Sequence, residues 1–209
     1  MYTLTADSYR LPFQFSHMND EYLISAKKLF QYYQSLGDRT FDQLKDEQLF
    51  YQFNSESNSI ATIVKHMAGN MLSRWTDFLT SDGEKEWRDR ESEFENDIDN
   101  RAKMIGLWNQ GWQCLFNALD ALKAEDLEKE IYIRNMGHVV VDAINRQLCH
   151  YAYHVGQIVF LGKMLCNEEW KSLSIPRGKS SEYNARKFAE PKHKEHFTDE
   201  LFKKSGHNQ

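Results

Sequence analysis

His150 and His154 are four residues apart in a segment with helical apolar periodicity, and their side chains can do metal chemistry. Residues at i and i+4 lie one turn apart on the same helix face, so both imidazoles can reach one metal ion. Their arc borders the apolar stripe centred on Ile144, Tyr151 and Ile158. The pair therefore predicts either a metal site or two histidines at the edge of a core.

Further polar residues border apolar helix faces. His66 and Asn70 lie in such a stripe on an earlier segment, and Gln147 and Gln157 share the arc of the histidine pair. A buried polar group without a partner costs about 1–3 kcal/mol, so these residues need partners. Three neutral imidazoles that converge across a bundle form a catalytic metal arrangement with open positions. The residues alone leave open a shared metal site and separate core histidines with backbone partners.

Several other sites are excluded by the same residues. No His-Glu-x-x-His motif occurs, and no glutamate stands three positions before any of the three histidines, as ferritin-like di-iron bundles require. The triplet Gly178-Lys179-Ser180 is not a P-loop, because Leu173 occupies the position of its first glycine. His138 stays open as a fourth ligand, a helix cap or a surface residue.

Four segments with helical periodicity must position the histidines. They cover residues 18–36, 60–78, 98–122 and 139–166, and the polar run 54–59 offers N-cap residues to the second. We predict an all-α protein with a four-helix bundle. The charged segment 84–95 is too long for a tight turn. A long crossover connection at this place lets the second and third helices run parallel.

Local signals complete the predicted organisation. Gly37 predicts the end of the first helix, and Gly156 and Gly162 indicate close approach of a neighbouring helix. Residues 130–134 alternate and predict a short extended piece rather than a sheet. We expect one domain over residues 1–175 and a loop or tail over 176–209 that packs on the bundle or extends from it.

Composition and charge exclude several classes of protein. The chain has 209 residues, a size that suits one domain, and it carries 26 Lys and Arg against 31 Asp and Glu. An acidic body with a mildly basic end is a poor match for nucleic acid. No apolar run approaches the roughly 18 residues that span a bilayer, and the N-terminus lacks signal-peptide features. Three cysteines without a Cys-x-x-Cys pair favour a reduced, cytoplasmic protein.

Two motifs resemble a known superfamily. The run Ile144–Ile158 (INRQLCHYAYHVGQI) resembles the last bundle helix of the DinB-like (YfiT-like) superfamily, and Ile63–Met71 (IVKHMAGNM) resembles its second helix. Trp170–Gly178 (WKSLSIPRG) resembles a bacterial branch without an assigned function. The resemblance spans residues 18–180. It implies an up-down-down-up four-helix bundle, frequent homodimers, and one divalent ion, nickel or zinc, held by His66, His150 and His154.

The resemblance also implies a range of activities. Characterised relatives include bacillithiol transferases and mycothiol-dependent maleylpyruvate isomerase, in which the metal would activate a thiolate of a low-molecular-weight thiol. Arg74 and Arg146 would then bind the carboxylates of that thiol, or serve as surface or helix-pairing residues. Asn70, Gln147 and Gln157 would hold the ligand tautomers. A small-molecule substrate is expected. The alternatives are a hydrolase that uses a metal-bound water and a non-catalytic metal-binding or dimeric stress protein.

Overall fold

The structure, a computed structural model, describes residues 11–204, with side chains from residue 18 to residue 203. These residues form seven α-helices and one two-stranded sheet: α1 (Leu11–Phe41), α2 (Asp46–Leu49), α3 (Ile60–Trp75), α4 (Arg101–Ala121), β1 (Glu130–Ile133), β2 (Met136–Val139), α5 (Val140–Cys166), α6 (Ser180–Phe188) and α7 (Asp199–Lys204). The mainly helical content confirms the predicted all-α class. Over the same residues, no helix has both the length and the apolar character needed to cross a membrane.

The helices α1, α3, α4 and α5 correspond to the four predicted segments. Ser59 caps α3 by accepting a hydrogen bond from the backbone N–H of Thr62, as its polar run suggested. Asn100 caps α4 in the same way through the N–H of Lys103. Both caps satisfy backbone donors that have no partner within the first helical turn. Local sequence therefore determines where these two helices begin.

The long helices pack in pairs, α3 along α4 and α1 along α5, with further contacts between α3 and α5. A Cβ added to Gly111 of α4 would lie 3.0 Å from Cα of Ala68 in α3. Further toward the C-terminus of both helices, Oγ1 of Thr76, the C-cap residue of α3, lies 3.6 Å from Sγ of Cys114 in α4. Contacts thus follow the same order along α3 and α4, so these helices run in the same direction.

The core between these helices is aromatic. Phe30 of α1 contacts Trp75, Trp112 and Tyr151, with ring centroids 6.0–6.4 Å apart. Each of these four rings is buried and comes from a different long helix. Aromatic side chains bury large apolar areas, and each Å² of apolar surface removed from water contributes about 25 cal/mol to stability. This cluster fixes how α5 sits against α3, and therefore where the histidines of both helices meet.

Of the three glycines to which the sequence assigns a role, only Gly162 has the role that was predicted. The prediction that Gly37 ends the first helix is wrong, because α1 continues to Phe41. A Cβ at Gly37 would lie 2.4 Å from Cζ2 of Trp108, so the glycine admits that ring. Gly162 of α5 has the predicted close neighbour, with Thr40 Cγ2 2.4 Å from an added Cβ. Gly156 does not, since no described atom outside its own helix backbone lies within 4 Å of that position.

The predicted extended piece is one strand of a hairpin. Strands β1 and β2 pair antiparallel, with Glu130 opposite Val139 and Ile133 opposite Met136, so the expectation of a lone strand was wrong. Arg134 and Asn135 form the turn with φ of 55° and 60°, and positive φ at both positions is what a type I′ hairpin turn requires. The sequence of β2 does not predict a strand, because it has only four residues and most of them are exposed.

The long α3–α4 connection is mostly irregular, with a single 3₁₀ turn at Ser92–Phe94. It is held to the hairpin by Asp82, whose carboxylate accepts the N–H groups of Arg134 and Asn135. At the other end of the chain, residues 176–204 contain the short helices α6 and α7. The last part of the predicted tail, residues 205–209, lies outside the described residues.

Candidate metal centre

Three histidines meet between α3 and α5. Nε2 of His150 lies 3.4 Å from Nε2 of His66 and 3.1 Å from Nε2 of His154. One nitrogen from each ring lies within 4.8 Å of the other two. His66 is buried, and the other two are partly buried. The structure therefore brings the three sequence-predicted ligands together in a group that could hold a metal ion.

The donor set and its spacing fit a divalent metal. Two nitrogens bound tetrahedrally to zinc at about 2.0–2.1 Å are about 3.4 Å apart, close to the distances around His150. Neutral imidazole is a common ligand of zinc and nickel. Nε2 of His150 faces Nε2 of both His66 and His154, and a single hydrogen on it could bond well to only one of them. A cation between the rings would instead bind the lone pairs of all three nitrogens.

Burial keeps His150 and His154 in the neutral form that metal ligands need. Desolvation, together with the nearby His154, His66 and Arg74, lowers the pKa of His150 to about 3. Desolvation also lowers the pKa of His154, although its hydrogen bond to Gln157 acts in the opposite sense. Neutral rings offer a lone pair without first losing a proton. These two rings are thus already in the protonation state that metal binding requires.

A glutamate from the α3–α4 connection orients His66. Nδ1 of His66 donates to Oε2 of Glu93 across 2.9 Å, which leaves the lone pair of Nε2 facing the other rings. Arg88 holds that carboxylate with two hydrogen bonds of 2.8 and 2.9 Å. Burial would raise the pKa of Glu93, but the hydrogen bonds from His66 and Arg88 outweigh it and keep the pKa below its usual value. The carboxylate stays charged as an acceptor.

Neither Glu93 nor Arg88 was identified from the sequence, where they belong to a charged connection. The available signal was Gly69, three residues after His66 in α3. A Cβ at Gly69 would lie 2.1 Å from Oε1 of Glu93, so only glycine lets the carboxylate reach the helix. A glycine one turn from a candidate ligand is thus a mark of a close neighbour. Phe94 adds a stacked ring on His66, with centroids 4.8 Å apart.

The three predicted tautomer-holding residues have different surroundings. Gln157 Oε1 lies 2.9 Å from Nδ1 of His154 and accepts a hydrogen bond from it, which directs Nε2 toward the triad. Asn70 accepts from the Tyr151 hydroxyl at 3.0 Å, so that oxygen is engaged away from the histidines. Gln147 is buried, and its Oε1 has no hydrogen-bond partner among the described residues. Asn70 and Gln147 both line the cavity beside the triad.

That cavity has a volume of about 230 Å³ and is strongly basic. Its lining comprises His66, Asn70, Arg74, Arg88, Arg90, Arg134, Arg146, Gln147 and His150. The predicted Arg74 and Arg146 thus lie at the same cavity as two of the histidines. Arg74 is buried and bonds the carbonyl oxygen of Gly83 and the Glu84 carboxylate. Burial lowers the pKa of Arg74, but guanidinium remains charged.

Two other features lie apart from the triad. His138 of β2 is outside the metal-ligating group, and its Nε2 lies 3.4 Å from Nη1 of Arg146. A larger cavity of about 680 Å³ lies beside α1 and α6, lined by residues such as Tyr32, Tyr183 and Phe197. It contains none of the sequence-predicted site residues. We assign the candidate site to the smaller cavity because two of the three metal-ligating side chains, His66 and His150, line it.

Comparison with known proteins gives one match. A family model described as "Protein of unknown function (DUF1572)" matches residues 17–179 of the chain. This range includes all three histidines and the complete α3–α4 connection. No curated protein and no solved structure matches the chain. The chemistry must therefore be argued from the site itself.

Proposed function

We propose a metal-dependent enzymatic function for this chain, which belongs to the family described as Protein of unknown function (DUF1572) over residues 17–179. The proposal places it in the DinB-like superfamily, with an up-down-down-up four-helix bundle. The order of contacts supports this topology. Helices α3 and α4 run in the same direction, whereas Phe30 and Phe41 of α1 meet Trp112 and Trp108 of α4 in reverse order.

His66, His150 and His154 would hold one divalent ion, nickel or zinc. The single observation that carries this proposal is the convergence of three imidazole nitrogens within 4.8 Å. Such an ion lowers the pKa of a thiol or a water bound to it, and so supplies a nucleophile near neutral pH. Glu93 and Gln157 keep the ligand nitrogens turned inward through their hydrogen bonds to the opposite ring nitrogens.

The first candidate reaction is transfer of a low-molecular-weight thiol of the bacillithiol type. Such a thiol carries carboxylates, and Arg74 and Arg146 line the cavity that adjoins His66 and His150. Their guanidinium groups would bind the carboxylates in the bidentate geometry that arginine favours. The partly open cavity would leave the bulk of the thiol outside, so that its sulfur alone reaches the histidines.

A metal-dependent hydrolase is the second candidate, and the size of the cavity favours it. Pockets for drug-sized ligands have volumes of about 300–1,000 Å³, whereas this cavity has about 230 Å³. A compact substrate fits that volume better than a tripeptide-sized thiol. In either reaction we propose a small-molecule substrate, a cytoplasmic location that suits the free Cys114, Cys149 and Cys166, and a homodimer.

Metal analysis of the purified protein tests the site. We expect about one equivalent of metal in the wild type and in the control His193→Ala, whose exposed ring lies outside the triad. His154→Ala should lose most of that metal, because two ligands remain. Equal metal content in all three proteins would contradict the site.

A thiol titration separates the two reactions. Glutathione and bacillithiol are added to the cobalt-loaded protein, and the thiolate-to-metal charge-transfer band is recorded. A band that saturates supports the transferase. The absence of any spectral change at millimolar thiol excludes a thiol mechanism and leaves the hydrolase, which is then assayed for metal-dependent hydrolysis of small esters.

A further inference from the structure

The cavity beside the triad is lined by five arginines and no acidic residue. Arg74 comes from α3, Arg88 and Arg90 from the α3–α4 connection, Arg134 from the hairpin turn and Arg146 from α5. Guanidinium groups therefore approach one space from four separate segments. Like charges repel, so such a group is costly unless carboxylates or a bound anion compensate it.

Two carboxylates compensate part of this charge. Glu84 pairs with Arg74 at 3.0 Å, with Arg88 at 3.3 Å and with Arg134 at 3.2 Å. Glu93 is committed to His66 and Arg88. Each of the three guanidinium nitrogens of Arg88 thus has a carboxylate partner, and Arg88 acts as a support for Glu93. One glutamate shared among three arginines leaves the cavity with excess positive charge.

The remaining two arginines contribute to this excess. Among the described residues, no carboxylate forms an ion pair with Arg146, and Arg90 pairs only with Glu91, at 3.5 Å. The Glu91 side chain is 90% exposed, so that pair contributes little. Arg90 is instead held over the face of Phe94, 5.1 Å from the ring centroid. Its guanidinium is positioned by an aromatic ring rather than neutralised by an acid.

A buried donor at the same cavity also lacks a partner. Arg74 is 5% exposed, and its Nε has no hydrogen-bond partner among the described residues. A buried donor left unpaired is costly, and more so when the group is charged. The pairing of Arg74 with Gly83 and Glu84 is therefore incomplete.

We propose that this cavity is a subsite for a tetrahedral dianion, the phosphate or phosphonate group of a small substrate. A carboxylate is planar, carries one charge and is satisfied by one guanidinium fork, whereas a tetrahedral dianion accepts hydrogen bonds from several directions. Guanidinium groups that approach from four segments match the several directions of a tetrahedral dianion. The volume of about 230 Å³ suits a compact anionic group. The assignment of this group to the substrate rests on the proposed function in its hydrolase form, since His66 and His150 line the same cavity.

Calorimetric titration of the full-length protein tests the subsite. Inorganic phosphate and malonate, a dicarboxylate, are titrated at low salt and pH 7.5 into the protein as purified and after chelator treatment. We expect phosphate to bind both forms, more tightly than malonate. Arg146→Gln should weaken phosphate binding at least tenfold. Arg177→Gln is the matched control, because Arg177 is also exposed but lies outside the cavity, and its affinity should equal that of the wild type.

Arg90→Gln provides a second variant on another segment, and circular dichroism verifies that each variant is folded. The subsite is overturned if phosphate does not bind, if malonate binds as tightly, or if neither cavity variant differs from Arg177→Gln. Phosphate binding restricted to the metal-loaded protein also overturns it, because the anion would then be a metal ligand. Since the chelator-treated arm needs no metal, loss of the metal site and loss of the subsite are separately detected.

Discussion

Glu93 accepts a hydrogen bond from Nδ1 of His66 across 2.9 Å, although 27 positions separate the two residues in the chain. The contact joins an irregular connection to the centre of α3, directly beside the three converging imidazoles. It determines which nitrogen of His66 is free to bind a metal.

The charge of Glu93 should raise the metal affinity of the site. Glu93→Gln keeps the shape and an acceptor oxygen but removes the negative charge that makes the His66 ring a better donor. We expect metal affinity to fall about 10- to 100-fold, measured by competition with a chromogenic chelator. Glu91→Gln, at an exposed carboxylate of the same segment, should bind metal like the wild type. Equal affinities in the two variants would contradict this role.

The space at Gly69 should be essential for that contact, and Gly156 offers a matched glycine on another helix. An added Cβ at Gly69 lies 2.1 Å from Glu93 Oε1, so Gly69→Ala should displace Glu93, weaken metal binding and destabilise the fold by about 1–3 kcal/mol. An added Cβ at Gly156 has no neighbour within 4 Å, so Gly156→Ala should stabilise α5 by about 0.5–1 kcal/mol through its higher helix propensity. Chemical denaturation and metal titration of both variants provide the comparison. A stabilising Gly69→Ala would show that the contact is absent.

The buried hydroxyl of Tyr151 should matter for stability and not for metal content. It accepts from Trp75 Nε1 at 3.1 Å and donates to Asn70 Oδ1 at 3.0 Å. Tyr151→Phe leaves both partners unsatisfied and should cost about 1–3 kcal/mol in urea denaturation. Tyr153→Phe, at a side chain that is 63% exposed, should change the unfolding free energy little. Comparable effects of the two variants would exclude a structural role for this hydroxyl.

Asp82 should make stability depend on pH in acid. Burial would raise its pKa, but hydrogen bonds from the N–H groups of Asn135, Glu84 and Arg134 outweigh it and lower the pKa. Because the pKa of Asp82 is lower in the folded protein than in the unfolded chain, its charged form stabilises the fold. This stability is fully present above the unfolded-state pKa of about 3.9 and is lost as the pH falls through the folded-state pKa.

Asp82→Asn should therefore be less stable than the wild type at pH 7, by about 1 kcal/mol, because charge-assisted bonds are weakened. The difference should narrow below about pH 4, where the wild-type carboxyl is also neutral. Thermal melts from pH 3 to pH 7 measure it, with Asp20→Asn at an exposed position as the control. A difference that is constant over this range would argue against the anchoring role of the charge.

The long helices could be predicted because their signals are local. Apolar residues at steps of three and four, with the polar run 54–59 before the second segment, predict the ends of α3 and α4 to within about three residues. The ligand candidates His66, His150 and His154 were found for the same reason, since their types and helical spacing are written in short motifs. The continuation of α1 past Gly37 could not be predicted, because it depends on Trp108 from a distant helix.

The surroundings of the triad depend on contacts between segments far apart in the chain. Glu93 and Arg88 lie in a charged connection whose pattern resembles any solvated loop, and only folding carries them to His66. The same applies to Arg134, which reaches the cavity because the hairpin turn is held by Asp82. Residue types and periodicity predict which helices form and which side chains can bind metal. The partners and the charge around those side chains arise only when loops without periodicity pack against the helices.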